Sequence, residues 1–324
     1  MEVISFEPPE YIPTLDDIRA AAKRIQPFAH RTPVLTCTAL DELAQAQLFF
    51  KCENFQKVGA FKFRGATNAV LSLDEERAAR GVATHSSGNH AAALALAARN
   101  RAIPAHVVMP SGAPAVKKAA VRGYGARIIE CEPTLQAREA TLDRVVEETG
   151  ATFVHPYNDP RVVAGAGTAA LELLTDHPDL DVIMAPVGGG GLMSGTAIAA
   201  ANLCSDIRVI GAEPAGADDA YLSLRAGQII PSVNPQTICD GLLTSLGPLS
   251  FTVLSGHLER IVTVREGAII RAMRLVWERM KILIEPSSAV PLGAVLMREL
   301  DLRGLKIGII FSGGNVNLDA LPWQ

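Results

Sequence analysis

The sequence predicts an α/β protein with parallel sheets and helices on both faces, and two observations carry that prediction. Short apolar runs alternate with glycine-rich or polar loops and then with helical patterns, the order that strand–crossover–strand units impose. Of the 324 residues, 48% are hydrophobic and 20% charged, so the chain can bury a core large enough to divide into two lobes.

Along the chain, the first element is a helix announced by Thr14, followed three residues later by Asp17; both side chains can satisfy free amides of the first turn. Strand-like runs follow at residues 48–52, 82–84, 106–109, 127–130, 182–186, 209–213 and 307–311, and helix-like stretches lie at 91–99, 115–124, 138–148 and 268–279. No solenoid repeat, low-complexity tract or long linker interrupts them. Pattern alone offers two candidate breaks, at 73–81 and 150–156, which flank a strand–helix–strand–helix–strand unit.

A net charge of −4 with interspersed signs leaves no basic stripe, so nucleic acid is not an expected partner. Cys37, Cys52, Cys131, Cys204 and Cys239 are scattered without Cys-x-x-Cys spacing, which predicts neither a disulfide framework nor a thiolate zinc site and points to a reducing cytoplasm. The first residues, Met1 to Pro9, do not read as a secretory signal. No run approaches the ~18 apolar residues of a membrane span.

Five segments carry candidate chemistry. Lys62 lies in Gly59-Ala60-Phe61-Lys62-Phe63-Arg64-Gly65-Ala66, between aromatic and small residues at the start of a helix. Desolvation and the positive end of the helix dipole both disfavour its ammonium form and so favour a nucleophilic amine; the bland alternative is a lysine that extends its charge to solvent. Ser86-Ser87-Gly88-Asn89-His90 follows a strand and opens a helix, where free amides suit a carboxylate, or where Ser and Asn are simply caps. Gly188-Gly189-Gly190-Gly191-Leu192 follows the run 182–186, and its missing side chains let successive amides converge on a phosphate. Ser312-Gly313-Gly314-Asn315 ends the last strand, at the sheet edge where ligands bind, or forms a terminal turn. Glu213, Asp218 and Asp219 crowd one loop, which suits a hard divalent cation or solvated acids.

A dinucleotide site is the competing reading of the glycine loop, because Glu213 ends the next strand near the ~20-residue offset of a ribose contact. The glycine spacing opposes it: counted from Gly188 or Gly189, the third fingerprint position falls on Met193 or Ser194. No Gly-Lys-Ser/Thr ending suggests a nucleoside triphosphate loop.

In order and separation, F-K-F-R-G-A, S-S-G-N-H, G-G-G-G-L and S-G-G-N resemble the fold-type II pyridoxal-phosphate enzymes, the family of serine racemases, serine and threonine dehydratases and 3-hydroxyaspartate dehydratases. The likeness extends from Pro33 to Asn317. It implies Lys62 as the Schiff-base lysine and catalytic base, Phe61 against the pyridine ring, Asn89 at the phenolic oxygen and Gly188, Gly189, Gly190, Gly191 and Leu192 around the phosphate. Gly241 is implied as a further cofactor contact. Ser312 matches the residue facing the pyridine nitrogen, where a serine leaves that nitrogen poorly protonated. Ser86, Ser87, Gly88, Asn89 and His90 match the loop that holds the substrate carboxylate, with Ser87 opposite the lysine as the second base that racemisation needs. Arg138 and Thr244 match positions near the substrate.

The same resemblance implies a divalent cation, Mg2+ or alternatively Mn2+ or Ca2+, held by Glu213, the Ala217 carbonyl and Asp219. Trp277-Glu278-Arg279-Met280-Lys281 and Ile284-Glu285-Pro286-Ser287 favour the racemase-like branch. The end of the chain soon after the Ser312 motif agrees with the lack of a regulatory extension. A small lobe of residues 81–156 is expected, inserted in a large cofactor-binding lobe of 1–80 and 157–324, in a homodimer. The activity implied is that of an ammonia-lyase taking L-serine, L-threonine or a related β-hydroxy amino acid to a 2-oxo acid and ammonia. Serine racemase and 3-hydroxyaspartate dehydratase are the alternatives, and an NAD-dependent dehydrogenase is the reading from another class.

Overall fold

Ten strands form two sheets in the computed structural model, which describes residues 8–323. In chain order they are β1 (Val34–Leu35), β2 (Gln47–Cys52), β3 (Val82–His85), β4 (Ala105–Pro110), β5 (Arg127–Cys131), β6 (Thr152–Phe153), β7 (Val182–Pro186), β8 (Arg208–Pro214), β9 (Arg260–Val264) and β10 (Lys306–Phe311). The larger sheet has the order β1-β2-β10-β7-β8-β9 and the smaller β5-β4-β3-β6. All neighbours are parallel except β1, which runs antiparallel to β2. The α/β class read from the sequence is therefore the class of the protein. Of the residues inspected above for a signal, Met1 to Glu7 lie outside the described part of the chain.

The helices are α1 (Leu15–Ile25), α2 (Thr38–Ala44), α3 (Lys62–Leu71), α4 (Glu75–Arg80), α5 (Asn89–Arg101), α6 (Ala115–Gly123), α7 (Leu135–Thr149), α8 (Pro160–Asp176), α9 (Gly191–Leu203), α10 (Asp219–Ala226), α11 (Pro248–His257), α12 (Glu266–Leu275) and α13 (Pro286–Met297). The start of α1 is the expected capping box: Thr14 Oγ1 accepts from the Asp17 amide, and the Asp17 carboxylate accepts from the Thr14 amide at 2.8 Å. The helix expected at 268–279 is different. It keeps α-geometry only to Leu275, widens into a π-turn over Val276–Met280, and stops where Lys281 adopts a left-handed φ of 61°.

Each face of the larger sheet has its own core. Phe50, Met184, Ile210 and Ile309 pack with Ile269, Met273 and Val290 of α12 and α13, while Ile183 and Ile310 pack with Ile18, Leu173 and Ile198 of α1, α8 and α9. A third core joins Val82 and Val107 of the smaller sheet to Leu94 of α5 and to Phe63, Ala66 and Val70 of α3. Helix α3 thus starts beside the larger sheet and packs between α5 of the smaller sheet and α8 of the larger one.

Glycine contacts set the spacing of the helices behind the site. A Cβ on Gly165 of α8 would lie 2.6 Å from the Gly65 Cα of α3, and one on Gly195 of α9 would lie 2.5 Å from the Gly167 amide of α8. Helix α8 therefore fixes, backbone against backbone, the placement of α3 and of α9.

Candidate active site

The site begins where β2 ends. The chain turns through Val58 and Gly59, both at positive φ (57° and 69°), and Ala60 then forms an isolated bridge with Gly313. The Phe61 amide donates to the Ser312 carbonyl at 2.9 Å, which places the start of α3 beside the end of β10. Lys62, half-buried, donates from Nζ to the Pro156 carbonyl at 2.8 Å and lies 5.1 Å from the centre of the Phe61 ring. Burial pulls its pKa down to about 8 against the opposing pull of the Glu285 carboxylate. Desolvation thus moves this lysine toward the neutral, nucleophilic amine.

Two residues further on, Arg64 is buried and bidentate on both sides. It reaches the Glu53 carboxylate at 2.7 and 2.8 Å and the Glu172 carboxylate at 2.8 and 2.9 Å. Lys51, fully buried, completes the cluster at 2.6 Å from Glu172. Charges this deep are tolerated only in such complete pairing, so the cluster clamps the first turn of α3 to β2 and α8.

Strand β7 delivers the glycine loop. Gly190 takes a φ of 84°, and a Cβ at Gly189 would come within 2.4 Å of the Tyr157 ring, so side chains are excluded here on two grounds. Helix α9 opens at Gly191, and Leu192 follows in its first turn, where amides have no helical partner and the dipole favours an anion. Gly241 lies against this loop: its carbonyl would be 3.2 Å from a Cβ on Gly188.

From the smaller sheet, β3 ends at His85 and the chain passes through Ser86, Ser87 and Gly88 into α5. Ser86 Oγ accepts from the Gly88 amide at 3.3 Å, and Ser86 to Asn89 are all half-buried. Asn89 Nδ2 is 3.1 Å from both carboxylate oxygens of Glu285, and its Oδ1 accepts from Asn315 Nδ2 at 2.9 Å. His90 is turned away from this group: its buried ring sets Nε2 3.3 Å from the Val154 carbonyl, and burial holds it neutral.

Arg138, on α7, makes no ion pair among the described residues, and its Nε is buried without a hydrogen-bond partner. Its charge reaches His85 and Tyr157, and burial followed by Arg138 lowers the pKa of His85. Thr244, on the exposed loop after Gly241, stands beside the Tyr157 hydroxyl.

Two residues escaped the reading of the sequence as parts of the site. Glu285, quoted there only for family likeness, is the N-terminal boundary residue of α13, and burial raises its pKa to about 7; its signal was the Glu-Pro step that opens a helix. Ser288, one turn into α13, is hydrogen-bonded to Ser312 and Gly313. Its partners are remote in sequence, so nothing local marked it.

Two of the three acids after β8, Glu213 and Asp219, are buried, and Asp218 is half-buried. Glu213 is fully buried, with its carboxylate accepting from the Ala220 and Tyr221 amides at 3.0 and 2.9 Å. Asp219 is nearly as buried, and both of its carboxylate oxygens lack partners. Burial, then the proximity of Asp219, pushes Glu213 up to about 9, and burial pushes Asp219 up to about 7. Ala217 is buried between them in sequence. Both carboxylate oxygens of Glu213 thus accept from the first turn of α10.

An amine of lowered pKa, a side-chain-free anion trap and buried polar groups at the ends of β3, β7 and β10 fit a phosphorylated aldehyde, the chemistry of pyridoxal phosphate. Comparison with known proteins agrees. The model of the pyridoxal-phosphate dependent enzyme family matches residues 25–313. The chain is 53% identical to the beta-hydroxyaspartate dehydratase of Paracoccus denitrificans, over 97% of this chain and 100% of that protein. The crystal structure of serine racemase from Dictyostelium discoideum superposes with a TM-score of 0.91 at 50% identity, covering 94% of this chain and 99% of that one. The crystal structure of T.th. threonine deaminase superposes with a TM-score of 0.90 at 42% identity, with 94% and 99% covered. The chain belongs to the pyridoxal-phosphate dependent enzyme family.

Proposed function

We propose that the protein is an ammonia-lyase that converts β-hydroxy amino acids to a 2-oxo acid and ammonia, the water lost from Cα–Cβ being regained when the resulting imine hydrolyses, and that its best substrate is a 3-hydroxyaspartate rather than L-serine or L-threonine. The single observation that carries the choice is Arg138, a guanidinium left without an ion pair beside the site. A cation in that setting suits a second substrate carboxylate, which serine and threonine lack. The beta-hydroxyaspartate dehydratase relative supports the same choice.

In this reading the bound cofactor supplies an electron sink for the carbanion at Cα. Lys62 would hold the aldehyde carbon and, once displaced from it by the substrate amine, would take the Cα proton at Nζ, a role its lowered pKa favours. The amides opening α9 bind the phosphate, and those opening α5, with Ser86 and Ser87, bind the α-carboxylate. Arg138 binds the distal carboxylate, and Asn89, held by Glu285 and Asn315, would partner the phenolic oxygen. The small lobe, residues 81–156, closes over the substrate and excludes water.

Glu213, the Ala217 carbonyl and Asp219 suit a divalent cation, magnesium first, because an uncompensated buried carboxylate with no partner is costly and a cation removes the cost. A homodimer in a reducing cytoplasm accords with the family resemblance and with five unpaired cysteines; no helix among the described residues is long and apolar enough to cross a membrane.

Serine racemisation is the second reading, supported by Ser87 at the loop that faces the site. The two separate in one assay, with 2-oxo acid and enantiomeric composition scored for 3-hydroxyaspartate, L-serine and L-threonine. Arg138→Gln should raise KM for 3-hydroxyaspartate by about tenfold to a hundredfold, the worth of a charge-assisted hydrogen bond, and leave KM for L-serine nearly unchanged. Equal losses on both substrates would remove the assignment of Arg138 to the distal carboxylate.

A further inference from the structure

We propose that Ser288 is a positioning residue that lets Ser312 act either as donor or as acceptor toward the pyridine nitrogen. The inference rests on the assignment of Ser312 to that nitrogen. Ser312 is not a solitary hydroxyl. Its Oγ lies 3.0 Å from Ser288 Oγ, which in turn accepts from the Gly313 amide at 2.7 Å and is 2.7 Å from the Gly313 carbonyl. Ser288 is fully buried and Ser312 is 3% exposed, so water does not supply substitute partners.

Counting protons shows what this arrangement permits. Ser288 has one proton and two acceptors in reach, Ser312 Oγ and the Gly313 carbonyl. That carbonyl already accepts from the Glu285 amide at 3.0 Å, so it remains satisfied whichever way the Ser288 proton turns. In one state Ser288 donates to Ser312, and Ser312 donates to an unprotonated ring nitrogen. In the other, Ser288 donates to Gly313, Ser312 donates to Ser288, and the Ser312 lone pair accepts from a protonated ring nitrogen. Two hydroxyls rotate, neither serine loses its proton, and the one proton gained by the ring comes from solvent or substrate. No buried group is orphaned in either state.

Without the Ser288 hydroxyl the second state fails. Ser312 accepting from the ring would have a buried O–H with no partner, which penalises the protonated nitrogen. A lone serine thus keeps the ring neutral, as the sequence reading assumed, whereas the Ser288–Ser312 pair permits the nitrogen to take a proton when charge builds on the ring.

The test uses holoenzyme reconstituted with pyridoxal phosphate labelled with 15N in the ring, and follows the ring-nitrogen chemical shift against pH. The wild type should show a protonation midpoint about one pH unit or more above that of Ser288→Ala, a tenfold change in the equilibrium. Ser288→Thr, which keeps the hydroxyl, should restore the midpoint. Ser288→Cys, close in size but a poor hydrogen-bonding partner, should follow Ala and carries the test where the alanine variant fails to fold. Identical midpoints in wild type and Ser288→Cys would overturn the inference. Ser312→Ala separates the two layers: if it leaves the ring signal unmoved, Ser312 does not face the nitrogen, whereas a shift in Ser312→Ala alone defeats only the role of Ser288.

Discussion

Lys62 concentrates the chemistry in one side chain whose surroundings were half legible in sequence. Flanking aromatic and small residues announced desolvation, and the start of a helix announced an unfavourable dipole, and burial is indeed the main cause of its lowered pKa. The opposing Glu285 carboxylate was not legible, because it lies 223 positions along the chain from the lysine (285 − 62). The balance sets a measurable pH dependence. A lysine whose protonation midpoint is about 8 presents about a tenth of its molecules as free amine at pH 7, against far less than a hundredth for an ordinary lysine. The rate at which cofactor-free protein captures pyridoxal phosphate, followed by stopped-flow absorbance, should therefore rise with a midpoint near pH 8. A rise continuing toward the ordinary lysine range near 10.5 would mean that the amine is not desolvated. Lys62→Ala should abolish the dialysis-resistant absorbance band and reduce turnover by about a thousandfold or more.

At the scale of elements, the loops were easier to read than the helices. Glycine and serine loops after β3, β7 and β10 stood out because their composition is chemically unusual, whereas α8 was missed although Asp159 and Pro160 form a regular helix start. Strands β1 and β6 are only two residues long each, too short for a period to register. The loop from β8 into α10 was read as acidic, but its burial could not be, since solvated and enclosed acids have the same composition. That burial has a signed consequence. Glu213 and Asp219 have folded-state pKa values raised to about 9 and about 7, so the folded chain holds these protons more tightly than the unfolded one. The stability they contribute is complete below the ordinary carboxylate range and is lost as pH rises through about 7 and then about 9. Cation-stripped protein should accordingly melt at a lower temperature at pH 9 than at pH 6, and magnesium should raise the melting temperature more at the higher pH. A Glu213→Gln, Asp219→Asn double variant should lose most of both effects; an unchanged magnesium response in that variant would place the cation elsewhere.

For the whole molecule, the two sheets present their carboxyl edges to one another, and a few residues bridge them. Asn89 on α5 bonds across to Glu285 and Asn315, and Lys117 on α6 pairs with Asp240 at 2.6 Å, next to Gly241 of the proposed cofactor pocket. The Asn89 contacts are inside the site. The Lys117–Asp240 pair is outside it, with side-chain exposures of 36% and 55%, so solvent weakens it. An exposed pair of this kind is worth up to about 1 kcal/mol, or about fivefold in an equilibrium. If it holds the lobes together over bound substrate, Lys117→Ala should raise KM for L-serine by up to about fivefold with little change in fold stability. Salt sharpens the test, because the Debye length shrinks from ~10 Å at 0.1 M to ~3 Å at 1 M. KM of the wild type should climb with salt toward that of the variant, whose own KM should stay nearly level. L-serine is the right probe, since a second carboxylate on the substrate would add its own salt dependence at Arg138. Parallel salt curves for the two proteins would show that the pair decorates the surface and that lobe closure draws its energy from the Asn89 contacts and the substrate alone.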